Sequence, residues 1–252
     1  MLNPLGQAGV QGIEVAPSRV WQDTWRGLDA ASVTAYRTAV EKAGLRVVGL
    51  HSLFYDHPEL GLFKDGDFRQ KSLNFLIHLS KVCRDLGGSA MIWGSGRRRN
   101  ELPLADAERE AVDFMGELCH RIEDHGTVIC FEPLGPKDSD FINGALEALS
   151  IVDKVSHSSM AIQLDAKALV ENAESEMKTF EKVKSELVHF HANEPGLDVL
   201  GRSGTVDHQA LGCCLKAIGY DHFVSIEQRM FGEETALDDA LESLGVLKSS
   251  YS

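Results

Sequence analysis

The sequence predicts an α/β protein: a (β/α)8-type TIM barrel in which seven βα units are readable and the first strand is missing. Two observations carry this. Short apolar runs alternate with longer amphipathic segments through all 252 residues, which is how βαβ units around a parallel sheet read. The last four runs each close on a carboxylate or an imidazole, and the C-terminal ends of barrel strands are where such a fold carries its chemistry. The alternative is a doubly wound sheet, but no glycine-rich phosphate loop follows an early strand.

Taken in order, residues 2–10 read as the end of a helix, because Leu2, Leu5 and Val10 lead through Gly9 into the first apolar run. The runs are 12–17 (GIEVAP), 45–54 (LRVVGLHSLF), 89–95 (SAMIWGS), 127–135 (TVICFEPLG), 160–168 (MAIQLDAKA), 187–194 (LVHFHANE) and 223–228 (FVSIEQ). Each is short, rich in Val, Ile and Phe, and bounded by turn residues, as buried parallel strands are. Helical patterns fill the intervals at 29–43, 68–86, 104–125, 141–156, 174–185, 207–218 and 235–248. Gly44, Gly87, Gly126 and Gly219 stand where helices stop. A closed barrel wants eight strands, so this count leaves one absent ahead of residue 12. No break in composition divides the chain, and one barrel domain over residues 1–252 is expected.

The charge balance narrows the partners. With 25 Lys and Arg against 38 Asp and Glu, the formal net charge is −13. Nucleic acid and anionic membranes need a basic face, so neither is expected as a partner. No run approaches the roughly 20 apolar residues of a membrane span, and the first ten residues lack a signal peptide's basic start and apolar stretch. The five cysteines, Cys83, Cys119, Cys130, Cys213 and Cys214, are odd in number and contain no CxxC pair. They read as reduced packing thiols in a cytoplasmic protein.

The functional candidates sit at strand ends. Glu132 follows Val-Ile-Cys-Phe, Asp165 follows Ala-Ile-Gln-Leu, His191 follows Leu-Val-His-Phe, and Glu227 follows Val-Ser-Ile. Alternation puts Val128, Cys130 and Glu132 on one face, Gln163 with Asp165, and Ser225 with Glu227. Any one of these residues alone reads as a satisfied core polar group. Three carboxylates converging on one point repel each other unless a cation lies between them. Oxygen-rich ligands with one imidazole suit Mn²⁺, Mg²⁺ or Co²⁺ better than Zn²⁺. The expectation is one divalent metal ion held by Glu132, Asp165, His191 and Glu227.

Six segments resemble the xylose isomerase-like barrel superfamily, and within it the sugar phosphate isomerase/epimerase group. They are GIEVAP, VVGLHSLF, CFEPLG, IQLDAKAL, VHFHANEP followed by GRSGTVDH, and GYDHFVSIEQ. Their order and spacing across residues 12–228 carry the likeness. The resemblance implies that the same four residues bind one metal, and that Glu132 and Glu227 act as catalytic base and acid. It implies proton transfer beside the carbonyl of a small sugar, cyclitol or keto-acid, in a homodimer or homotetramer. Dehydration of a keto-inositol, or a barrel that binds without catalysis, are the alternatives. Ketose 3-epimerases of that group carry a histidine where this chain has Ala168 and an arginine where it has Leu197, so the resemblance does not extend to ketohexose epimerisation. Ala168 also departs from the related three-zinc DNA-repair endonucleases.

Further residues are candidates for the substrate: His51 at the end of the second run, Lys167 two residues after Asp165, and Arg202 in Gly-Arg-Ser-Gly. His189 shares the inward face with His191 one layer deeper and reads as a supporting histidine. Arg97, Arg98 and Arg99 read as a solvated basic loop. Trp21, Trp25 and Phe54 are either pocket walls or core.

Overall fold

Seven apolar runs become seven strands. The computed structural model describes residues 2–252. The strands are β1 (Gly12–Val15), β2 (Arg46–Leu50), β3 (Ala90–Trp93), β4 (Val128–Phe131), β5 (Met160–Asp165), β6 (Leu187–Ala192) and β7 (Val224–Ile226). They lie in one sheet in sequence order, and every neighbouring pair is parallel. The helices are α1 (Leu2–Gln7), α2 (Pro17–Val20), α3 (Ala30–Lys42), α4 (Gly66–Leu86), α5 (Leu104–Ile122), α6 (Ala145–Val155), α7 (Ala166–Glu171), α8 (Met177–Val183), α9 (His208–Ala217) and α10 (Ala236–Tyr251).

The sheet curls into a nearly closed barrel. β1 and β6 stand five places apart in strand order, yet Glu14 of β1 lies 3.0 Å from His189 of β6. The ring is not sealed: among the described residues β1 pairs only with β2, and β7 only with β6. The seam between them is a cleft of about 700 Å³, lined by both strands and walled by Leu5 before β1 and Leu244 and Leu247 of α10.

Alternation sorts the side chains between two cores. Outward residues such as Met91, Trp93, Ile129, Phe131, Ile162, Leu164 and Phe190 join the helices in one large apolar cluster. A small inner cluster of Ala90, Ile92, Cys130 and Ala161 fills the barrel, with Val128 and Val188 against it. The layers above it are polar, and they position the site.

Several runs are trimmed at their ends, and two of the boundaries that differ from expectation bear on the site. The run at 160–168 is not strand throughout: β5 stops at Asp165 and α7 begins at once. The cause is Asp165 itself, whose Oδ1 accepts the main-chain N–H of Ala168 at 2.7 Å and caps the helix. The helix expected from 141 starts at Ala145, because Phe141 and Ile142 give their carbonyls to Arg97 instead. At Gly49, a Cβ would lie 2.2 Å from the Ala90 carbonyl, so the close approach of β2 to β3 requires glycine.

Candidate metal centre and active site

Glu132 stands one residue beyond β4, Asp165 ends β5, His191 lies in β6, and Glu227 follows β7. One ligand atom from each falls within 4.8 Å of the others. His191 Nδ1 is 3.1 Å from Glu132 Oε1 and 3.7 Å from Glu227 Oε2. Asn193, two residues past His191, donates from Nδ2 to Asp165 Oδ2 and to Glu227 Oε2, the latter at 2.9 Å. Glu132, Asp165 and His191 are buried, while the Glu227 side chain is 26 % exposed.

Local structure fixes each ligand. Asp165 is held at one oxygen by the α7 cap and at the other by Asn193. Glu132 passes Gly94 so closely that a Cβ there would lie 2.1 Å from Oε2. Its main-chain carbonyl accepts from Arg97 Nη2. Arg97 is not part of a solvated loop, as the sequence suggested. It is 1 % exposed and also donates to the carbonyls of Trp93, Gly94, Phe141 and Ile142. The guanidinium fork thus gathers five carbonyls, from the ends of β3 and β4 and from the loop before α6, and ties these segments together beneath Glu132. Burial draws its pKa down to about 10, against the opposing pull of Glu132 and Glu147.

The electrostatics call for a cation. Burial, then the neighbouring charges of Glu132 and Glu227, push the Asp165 carboxyl up to about 8. Burial pushes His191 down, but Glu14, Glu132 and Glu227 overcome it and hold the imidazole well above its ordinary range. Both shifts favour the protonated form, so the cluster draws positive charge toward itself. Three carboxylates and one imidazole fit a single hard divalent ion, which would displace both protons.

The other sequence candidates divide. His51 is half-buried beside the site, its ring 6.3 Å from that of His191, and it lines the seam together with Glu14 and Glu227. The Lys167 ammonium is held by Asp138 at 2.7 Å and Glu171 at 3.2 Å. Arg202 reaches α10, where it pairs with Asp239 and Glu242. Arg98 and Arg99 fasten the 137–140 loop through the carbonyls of Lys137 and Asp140. Trp25 stacks on Phe75, and Phe54 packs on Trp93 and Phe75, as core residues.

One residue in contact with the site escaped the sequence reading. Glu14 of β1, with its side chain 8 % exposed, lies 2.9 Å from His191 Nε2 and 3.0 Å from His189 Nε2. Burial raises its pKa, but the two imidazoles prevail and hold it well below the usual carboxylate range. The signal was present as a carboxylate inside an apolar strand, a costly placement unless a partner faces it.

Three comparisons bear on this arrangement. A family model for the xylose isomerase-like TIM barrel matches residues 4–250. No curated protein sequence matches the chain. Among solved structures, D-psicose 3-epimerase from Clostridium cellulolyticum H10, crystallised with D-tagatose, superposes with a TM-score of 0.83 at 20 % identity, over 99 % of this chain and 92 % of that one. A 3-keto-D-glucoside 4-epimerase from E. coli gives 0.80 at 19 % identity over 98 % and 92 %. A family 2 AP endonuclease from Brucella melitensis gives 0.75 at 18 % identity over 94 % and 89 %. With the family model spanning nearly its whole length, the chain belongs to the xylose isomerase-like TIM barrel family.

Proposed function

We propose that the protein is a divalent-metal-dependent epimerase or isomerase of a small sugar, cyclitol or keto-acid. The observation that carries this is the convergence of Glu132, Asp165, His191 and Glu227 on one point. The epimerases of similar fold support the reaction class. The four residues would hold the ion, with Mn²⁺, Mg²⁺ or Co²⁺ suited to their oxygen-rich set. When bound, the ion supplies Lewis acidity toward a carbonyl oxygen.

The chain's own groups handle the proton. Glu132 and Glu227 project from β4 and β7, three strands apart around the mouth. One takes the proton from the carbon beside the carbonyl. The other delivers a proton to the opposite face of that carbon, which inverts its configuration. Both glutamates are then reset by proton exchange with solvent, and Glu227 is the more exposed of the two. His51, beside the site on the seam side, offers a hydrogen bond to a substrate hydroxyl.

The test is metal content and isotope exchange together. Purified protein is expected to hold about one Mn²⁺ per chain, and Glu132→Gln to lose it. In D₂O, a turned-over ketose should gain one deuterium at the epimerised carbon. Undiminished metal in Glu132→Gln, or a dehydrated product without deuterated epimer, would overturn the assignment.

A further inference from the structure

The layer beneath the four ligands holds a second arrangement. Glu14 Oε2 lies 2.9 Å from His191 Nε2, and Glu14 Oε1 lies 3.0 Å from His189 Nε2. The two imidazoles stand edge to face with an interplanar angle of 90° and centroids 5.3 Å apart. The backbone is irregular on both sides of this layer. Register shifts between Ile13 and Glu14 where β1 meets β2, and between Ile162 and Gln163 where β5 meets β6. Such irregularities re-aim side chains near active sites. Here they bring a carboxylate from β1 across the barrel interior to two histidines of β6.

His191 therefore has two differently occupied nitrogens. Nδ1 faces Glu132 and Glu227, the side of the proposed cation. Nε2 faces Glu14. Both nitrogens thus face a carboxylate, Nε2 at 2.9 Å and Nδ1 at 3.1 Å; a cation on the Nδ1 side would displace the proton there, and since a carboxylate only accepts, the one proton left stays on Nε2 beside Glu14. We infer that Glu14 is a positioning residue, which holds the His191 proton on Nε2 and so presents the Nδ1 lone pair to the metal. The inference rests on the proposed function for the identity of what Nδ1 meets. The Glu14–His191 contact itself does not depend on it.

Outer carboxylates of this kind typically govern metal affinity by roughly 10–100-fold. Histidine-labelled ¹⁵N spectra of the Mg²⁺-loaded protein are expected to show His191 protonated at Nε2, with assignment by His191→Asn. Glu14→Gln should weaken Mn²⁺ binding by roughly 10–100-fold and scramble the His191 tautomer. Glu14→Asp, which keeps the charge on a shorter arm, should fall between. A proton on Nδ1 in the loaded wild type overturns the inference without any variant. So does a folded Glu14→Gln protein that binds Mn²⁺ as tightly as wild type. If the wild type takes up no metal, the metal assignment fails by itself. The metal-free spectra then decide: a hydrogen-bonded Nε2–H signal lost in Glu14→Gln supports positioning, and its persistence overturns it.

Discussion

Asp165 and His191 both favour their protonated forms in the fold, and this has a sign. The folded Asp165 carboxyl sits at about 8 against an ordinary 3.8, and His191 lies well above its ordinary 6.5. In both cases the folded state binds more protons than the unfolded chain, so stability is lost as pH rises through the folded values. In EDTA the melting temperature is expected to fall between pH 6 and pH 9. Saturating Mn²⁺ should reverse the trend, because its binding releases protons and strengthens as pH rises toward 8. Differential scanning fluorimetry at both conditions checks this, and a flat profile in EDTA would count against the proton-holding site. The four strand-end residues were legible because each ends its own apolar run. Glu14 was not, because periodicity gives the face a residue occupies but not which residue meets it across a barrel. Lys167 and Arg202 read from the sequence as candidates for the substrate, whereas the structure pairs both with carboxylates. Glu171, one turn on in α7, is a local partner of Lys167, but Asp138 comes from another loop and the partners of Arg202 from α10, which no local pattern announces.

At the scale of elements, the junction of β5 and α7 shows one side chain serving two purposes. Asp165 caps α7 with one oxygen and faces the other ligands from the barrel mouth. Asparagine caps as well as aspartate, so the two roles separate. Asp165→Asn should match or exceed wild-type stability at pH 9 in EDTA, since it keeps the cap and removes a repelled charge, yet lose metal affinity. Asp165→Ala should unfold about 1 kcal/mol more easily than Asp165→Asn, as read by urea titration. Equal stability of the two variants would remove the capping role. The seven strands were legible from their apolar runs. The α7 helix was not, because Ala-Lys-Ala after a strand reads as its continuation until Asp165 is seen to close over Ala168. The loop after β3 was misread for a related reason. Three successive arginines suggest solvent, and only the fold reveals the five carbonyls that converge on Arg97.

Across the whole molecule, the seam sets a gradient of order. The strands that flank it, β1 and β7, are only partly buried along most of their length, whereas β3 is buried throughout. A strand edge with no neighbour leaves main-chain groups open to solvent. Hydrogen exchange is expected to be faster in residues 12–15 and 224–226 than in 90–93 and 160–165, and protection equal to that of β3 would show that the seam is closed in solution. The number of strands was itself legible from counting runs, because each of the seven apolar runs became one strand. What the count did not show is how the two lips are joined. Among the described residues the main chain supplies no rung between them, and the contacts of Glu14 with His189 and His191 reach from β1 to β6 through the interior. The barrel thus behaves as a split ring with a clasp. The four proposed ligands gather β4 to β7, the clasp passes from His191 to Glu14, and a metal ion seated at one end would tighten the ring at the other.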